Sequence, residues 1–292
     1  MDRSILEKEN TEYLADLWKS MSDLQPATAG QKGRGKSKFW DSRAKNYSRN
    51  VSNDRRDKSV AAVFNLLDIA GFDPKGKAVL DIGSGPGTFA LPLARMGAKV
   101  TALDISSRML QELEKKADLE GIDTIDTIHT SWNDADLDKM GSRKKFDMAF
   151  ASMTPAICDI KAITKMMEAS RAFCYYSGFL KRTWDPSYYD LYRELFKEEY
   201  RDFATGFHIP FMYLYSMGYS PVLKLNKDVW ASDDTVDDMA QTLYDFFGQS
   251  KDTTPDMKET MKKYLSLKST NGHYHAETNV FTGMMVWDIR SR

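Results

Sequence analysis

Apolar residues along the chain fall into two rhythms. One is helical: Val60, Val63, Phe64, Leu66, Leu67 and Ile69 form a stripe that predicts an amphipathic helix over 60–69, which Gly71, Pro74 and Gly76 then break. The other is made of short runs. Those at 78–82, 98–103, 123–129, 146–151 and 172–179 predict strands, with Phe146, Met148 and Phe150 alternating in the fourth. Helices are predicted between them over 88–96, 106–120 and 160–170. Strands alternating with helices predict an α/β fold: a doubly wound, mostly parallel sheet with helices on both faces. Its crossovers should be right-handed and its ligand should lie at the carboxyl ends of the strands.

Beyond residue 180 the regular alternation stops. A helix is expected over 187–201, an aromatic segment over 207–219, a sixth strand over 221–227, and helices over 233–247 and 255–267. A seventh strand, 279–289, sets Val280, Thr282, Met284 and Val286 against Phe281, Gly283, Met285 and Trp287. Both of its faces are mostly apolar, which places it inside the sheet rather than at an exposed edge. At the other end, Ile5, Leu14, Leu17 and Met21 suggest a helix, followed by a Gly- and Lys-rich stretch from Gln25 to Lys38. Lys32, Arg34, Lys36 and Lys38 make that stretch basic, either a solvated loop or a lid that attracts an anion. The expected division is 1–57 for an amino-terminal helix and mobile lid, and 58–180 for the core. Residues 181–278 would form cap insertions with one further core strand, and 279–292 the last strand.

Composition narrows the function classes. The 292 residues carry a net charge of −1, with 42% hydrophobic and 28% charged residues, which argues against a general nucleic-acid or membrane-surface binder. No apolar run approaches the ~20 residues that span a bilayer. Cys158 and Cys174 have no metal-type spacing and fit a reduced, cytoplasmic setting.

The chemistry concentrates in Val79-Leu-Asp-Ile-Gly-Ser-Gly-Pro-Gly-Thr88. An apolar strand ends at Asp81, and Gly83, Gly85 and Gly87 then let the backbone turn tightly and a ligand approach it. The helix that follows would point its amino end at that ligand. Asp104 stands at the end of the second strand, where an acid grips a ribose hydroxyl pair. A dinucleotide-binding fingerprint would need a third glycine at position 88, which holds Thr88 instead. A glycine turn without a ligand would leave the placing of Asp104 a coincidence.

With Val100-Thr-Ala-Leu-Asp-Ile-Ser106, Phe146-Asp-Met-Ala-Phe-Ala151 and the upstream run Phe39-Trp-Asp-Ser-Arg-Ala-Lys-Asn-Tyr47, the chain resembles the class I S-adenosylmethionine-dependent methyltransferases. The likeness covers residues 40–180 and, more loosely, the last strand. It implies a seven-stranded Rossmann-like sheet that binds S-adenosyl-L-methionine, with S-adenosyl-L-homocysteine as product. The loop Gly83, Ser84, Gly85 and Gly87 would hold the methionine portion and Asp81 would orient it. Asp104 would bind the ribose hydroxyls, Ile105 would pack on the adenine, and Ser131-Trp132 would lie beside its edge. Carbonyls around Ala151 and Ser152 would receive the amino group, with Trp40 and Tyr47 closing over the site.

Methyl transfer from a sulfonium is an in-line displacement, so the protein mainly orients its reactants, and a base is needed only if the nucleophile must lose a proton. The acceptor is expected to be a small molecule, attacking through O, N or S, in an aromatic-lined, capped pocket. Tyr175, Tyr176, Trp184, Phe207, His208, Phe211, Met212 and Tyr215 would supply it, although each could equally serve the core. His208 and Tyr175 are the candidate catalytic groups. A protein or RNA acceptor, and a non-catalytic cofactor binder, are the alternatives. His273 and His275 would share one face of a strand with Glu277 in reach, but a polar turn is the simpler reading and no metal is expected.

Overall fold

At the centre of the chain the expected alternation is the observed one. The computed structural model describes residues 3–23, 37–42, 44, 53–200, 206–248 and 250–291; Tyr47, Lys32, Arg34 and Lys36 lie outside these described residues. Strands β1 (Ala78–Ile82), β2 (Lys99–Asp104), β3 (Ile125–His129) and β4 (Phe146–Ser152) lie close to their predicted positions. Between them run helices α4 (Ala90–Arg95) and α5 (Ser107–Glu120). Local chemistry fixes the helix ends: Ser106 caps α5 by accepting the Met109 amide, and Gly121 closes it in the left-handed region. Asp159 likewise caps α6 (Ile160–Ala169).

Among the described residues three helices precede the sheet: α1 (Arg3–Asp23), α2 (Ser37–Asp41) and α3 (Asn53–Ile69). The helix α3 begins seven residues before the apolar stripe that predicts it, because residues 53–59 are almost wholly polar and carry no hydrophobic rhythm.

The sheet order is β3-β2-β1-β4-β5-β7-β6, where β5 spans Ser170–Thr183, β6 Val222–Thr235 and β7 His273–Asp288. The first five strands pair in parallel, and β7 runs antiparallel to both β5 and β6. The order reverses beside β1, between β2 and β4, which makes that edge the topological switch point. The last strand is indeed interior, flanked on both sides.

Alternation along the strands sorts side chains into two cores. On one face Val79, Met148, Phe150, Tyr175 and Val286 pack under α3 and α4, and Tyr175 stacks on Phe150 with ring centroids 4.2 Å apart. On the other face Leu80, Ile82, Ala149, Tyr176 and Trp287 meet α6, α8 (His208–Ser216) and α1, which inserts Leu14 and Trp18. Burying a ring such as Phe150 contributes about 1.5–3 kcal/mol.

The outer strands extend past the inner ones. Ser152 pairs with Ser177 at the end of β4, yet β5 continues to Thr183 against β7. Onto this extension pack α7 (Pro186–Phe196), α9 (Val236–Phe247) and α10 (Pro255–Lys268) through Tyr188, Leu191, Leu243, Phe247, Met261 and Tyr274. Buried Asp185 joins the pieces: it accepts from the Ser187 amide at 2.9 Å, the Tyr274 hydroxyl at 2.8 Å and the Glu277 amide at 3.2 Å. The boundaries expected at 180/181 and 278/279 therefore fall within β5 and β7, and much of the expected insertion is continuous with the sheet. No helix among the described residues is long and apolar enough to cross a membrane.

Candidate functional site

The carboxyl edge of β1 and β2 carries the glycine loop. Gly83, Gly85 and Gly87 have φ of 70°, 54° and 85°, values that residues with a Cβ rarely adopt. The loop is pinned to its neighbour strand: the Gly83 and Ser84 amides donate to the Leu103 carbonyl at 2.7 and 3.1 Å. At Gly83 a Cβ would stand 2.2 Å from Thr154 Oγ1, so the loop after β4 rests directly against the loop after β1. Around Gly85 there is open space, with no atom within 4 Å of where a Cβ would be. That is the approach a ligand would use.

Asp104 clasps this loop. Its Oδ2 accepts the Gly85 amide and its Oδ1 the Ser106 amide, both at 2.8 Å, and the residue is buried. Burial raises its pKa against those two amides. Each carboxylate oxygen keeps a further acceptor site. Asp81 lies deeper, fully enclosed. Burial pushes its carboxyl up to about 7, with the Asp104 charge adding to the effect and the Ala90 amide at the start of α4 opposing it. Two buried polar atoms here, Asp81 Oδ2 and Ser84 Oγ, have no hydrogen-bond partner. Buried polar groups are nearly always satisfied, so a pair of orphans beneath an open glycine cradle marks a place shaped for a polar ligand.

Ile105 is half-buried beside Asp104, and its carbonyl accepts from His129 Nε2 at 3.0 Å. Ser131 is committed to a turn, donating to Asp134 Oδ2 at 2.6 Å. The Trp132 indole is turned inward, with Nε1 bonded to the Ala162 carbonyl at 3.1 Å, so its side chain serves the core. Lys165 steadies this loop by donating to the carbonyls of Trp132, Asn133 and Ala135. Ala151 is buried in the core, and Ser152 Oγ meets Ser177 Oγ at 3.0 Å.

Sequence reasoning missed several groups at this edge. Met153 has a φ of 50° and is held there by its amide, which donates to the Ser177 carbonyl and hydroxyl, each at 3.1 Å. A left-handed non-glycine residue costs about 1–2 kcal/mol, and such strain gathers at functional sites. Asp41 and Ser106 were also missed: Ser106 Oγ donates to Asp41 Oδ1 at 2.6 Å, which brings α2, and with it half-buried Trp40, to the amino end of α5. The partners are 65 residues apart, so no local pattern announces them.

The two candidate catalytic groups are not brought together. Tyr175 faces the α3 side of β5, wholly buried, its hydroxyl pushed up to about 12 by burial. His208 is the first residue of α8, which packs on the opposite face. The aromatic set is likewise divided, a correction to the single pocket expected: Tyr175, the pair Tyr176 and Phe207, and Trp184 belong to three separate clusters, while Tyr215 is exposed. Apolar rings gain more from full enclosure than from lining a wet cleft, and Tyr175, Tyr176 and Phe207 were taken up by the nearest core. Replacing Tyr175 by Phe should cost at most about 1 kcal/mol of thermal stability, because the buried hydroxyl has only the nearby Ser152 and Ser177 hydroxyls to lose, and should leave turnover intact. A large loss of turnover with a normal melting curve would give that hydroxyl a role in the reaction. His273, His275 and Glu277 are exposed on one face of β7, where His275 Nε2 lies 3.3 Å from Glu277 Oε1. Among the described residues no three metal-ligating side chains converge.

Residues 79–175 match the family model described as a methyltransferase domain. An uncharacterized protein of Haemophilus influenzae is 52% identical over 58 residues, 20% of this chain and 22% of that protein. The ubiquinone biosynthesis O-methyltransferase of Roseobacter denitrificans is 42% identical over 65 residues, 22% of this chain and 26% of that protein. The matched stretches thus span 22% and 26% of these relatives' lengths. Among solved structures, a Bacillus halodurans protein described as a methyltransferase superposes with a TM-score of 0.50 at 12% identity, covering 78% of this chain and 98% of its own. That likeness is one of fold. Residues 79–175 therefore carry a methyltransferase domain, set within a Rossmann-like α/β sheet.

Proposed function

We propose that this chain transfers a methyl group from S-adenosylmethionine to a small-molecule acceptor. One observation carries the cofactor assignment: an open glycine cradle, clasped by Asp104, lies over the unpartnered oxygens of Asp81 and Ser84. When bound, the cofactor supplies an activated methyl on a sulfonium, and this chain's residues bind, orient and exclude water. The Gly83–Gly87 loop holds the methionine portion, and the remaining lone pairs of Asp104 take the ribose hydroxyls. Ile105 packs on the adenine, and the backbone of Ser131 and Trp132 borders it. Carbonyls at Ala151 and Ser152, with Asp81, receive the ammonium group, and Trp40 covers the site. His208 acts as base where the acceptor must shed a proton. A net charge of −1 and the wall raised by β5, β6 and β7 beside the cofactor edge support a small acceptor over a polyanion.

Titration with S-adenosylhomocysteine, with NADH as comparison, tests this reading; one-to-one binding of the former alone is expected. The pH dependence adds a sharper check. Asp81 is half-protonated at about 7, and only its ionised form pairs with an ammonium. Affinity should therefore rise about tenfold between pH 6 and pH 8, following the ionised fraction. Asp81→Asn should abolish that slope. Free of ligand, the group acts on stability in the opposite sense. Its folded pKa is raised, so its contribution is full below the ordinary carboxylate range and is lost as pH rises through about 7. Binding of NADH instead would overturn the assignment.

A further inference from the structure

We propose that Asp41 is a positioning residue for the cofactor, coupling the short helix α2 to the glycine loop; this rests on the cofactor reading above. A continuous hydrogen-bonded chain runs between them. Ser37 Oγ donates to Asp41 Oδ2 at 2.8 Å, and Ser106 Oγ donates to Asp41 Oδ1 at 2.6 Å. The Ser106 amide donates to Asp104 Oδ1, and Asp104 Oδ2 takes the Gly85 amide, both at 2.8 Å. The cradle residue, the ribose acid and the aromatic segment Phe39-Trp40 are thus connected through two carboxylates that share one serine.

The electrostatics support a designed contact rather than a chance one. Asp41 sits at the amino terminus of α5, where Ser106 Oγ accepts the Met109 amide at 3.2 Å and Asp41 Oδ1 accepts the Arg108 amide at 3.4 Å. One free amide of the helix end is satisfied locally and the next by a carboxylate from a distant segment, with the sign that the helix dipole favours. Against the upward push of burial, the bonds from Ser106, Ser37 and Arg108 leave the Asp41 pKa below its usual value, so it is charged at neutral pH. Ser106 then has its hydroxyl and its amide both engaged, and any ligand that fixes Asp104 and Gly85 also fixes the group that Asp41 holds. By linkage, ligand binding tightens the docking of α2 by the factor by which docked α2 tightens binding.

Calorimetric titration of the full chain with S-adenosylhomocysteine, together with amide hydrogen exchange over residues 38–42, tests the coupling. In the natural protein the ligand should slow exchange at 38–42. Asp41→Ala should raise the dissociation constant on the order of tenfold and remove that protection, because the linkage is cut. Asp41→Asn, whose amide oxygen can still accept from Ser106, should fall between the two. Ser37→Ala, which removes only the outermost bond, should have the smallest effect and guards against a variant that fails to fold. Wild-type affinity in Asp41→Ala, or ligand binding that leaves exchange at 38–42 unchanged, would overturn the coupling while sparing the cofactor assignment. Failure of the natural protein to bind the ligand would overturn both.

Discussion

Asp104→Ala is expected to unfasten the cofactor loop. Its carboxylate is the acceptor for the part-buried Gly85 amide and the buried Ser106 amide. Removing it strands the Ser106 amide at about 1–3 kcal/mol and costs the Gly85 amide a hydrogen bond of about 1 kcal/mol. The stability of the free protein should fall by about 2–4 kcal/mol, read from the midpoint of urea unfolding. Ligand affinity should fall further, because the loop is no longer held in its binding shape and the ribose contact is gone. A dissociation constant for S-adenosylhomocysteine about 100-fold higher corresponds to about 2.7 kcal/mol. Asp104→Asn should be milder, since one amide oxygen remains to accept. An alanine variant with unchanged affinity would remove Asp104 from the cofactor site, whatever its stability.

Gly83→Ala should damage the site from the opposite direction, by adding a single carbon. The left-handed backbone costs alanine about 1–2 kcal/mol. The new Cβ would also lie 2.2 Å from Thr154 Oγ1 and 2.9 Å from Thr154 Cβ, closer than atoms can approach. Either the cradle or the loop after β4 must move, and overpacking of this kind costs about 1–3 kcal/mol. Because Thr154 follows the strained Met153, displacement should propagate to the Ser177 contact that holds the turn. Thermal unfolding and ligand titration should both report the loss. Adding Thr154→Gly should recover the part due to the clash and leave the part due to φ. A Gly83→Ala protein that binds as well as the natural one would show the loop to be more pliable than its contacts imply.

The glycine turn and the strand end at Asp104 were legible because they depend on local chemistry. The run from Val79 to Thr88 contains its own strand and turn and leads into the helix at Ala90, and Asp104 is set by the end of the next strand. Periodicity placed β1 to β5 and the helices between them, since each buries one stripe or both faces and must write that in its side chains. It failed where polar residues fill a regular element. Residues 53–59 form the start of α3, and His273, His275 and Glu277 alternate with buried Tyr274, Ala276 and Thr278 on an extended β7 that looked like a turn.

The sequence by itself determined the mostly parallel core and the glycine turn that follows β1, because these follow from period and turn chemistry. Only the tertiary structure decided that Asp41 caps α5 and that Thr154 presses on Gly83. It alone showed that Tyr175 and the helix that begins at His208 lie on opposite sides of β5, and that Trp132, Tyr175, Tyr176 and Phe207 serve packing. Each of these depends on a partner tens of residues away or on which face of a strand a side chain takes. A one-residue change of register reverses that face, and burial, which settles the register, is a property of the assembled layers and not of any segment alone.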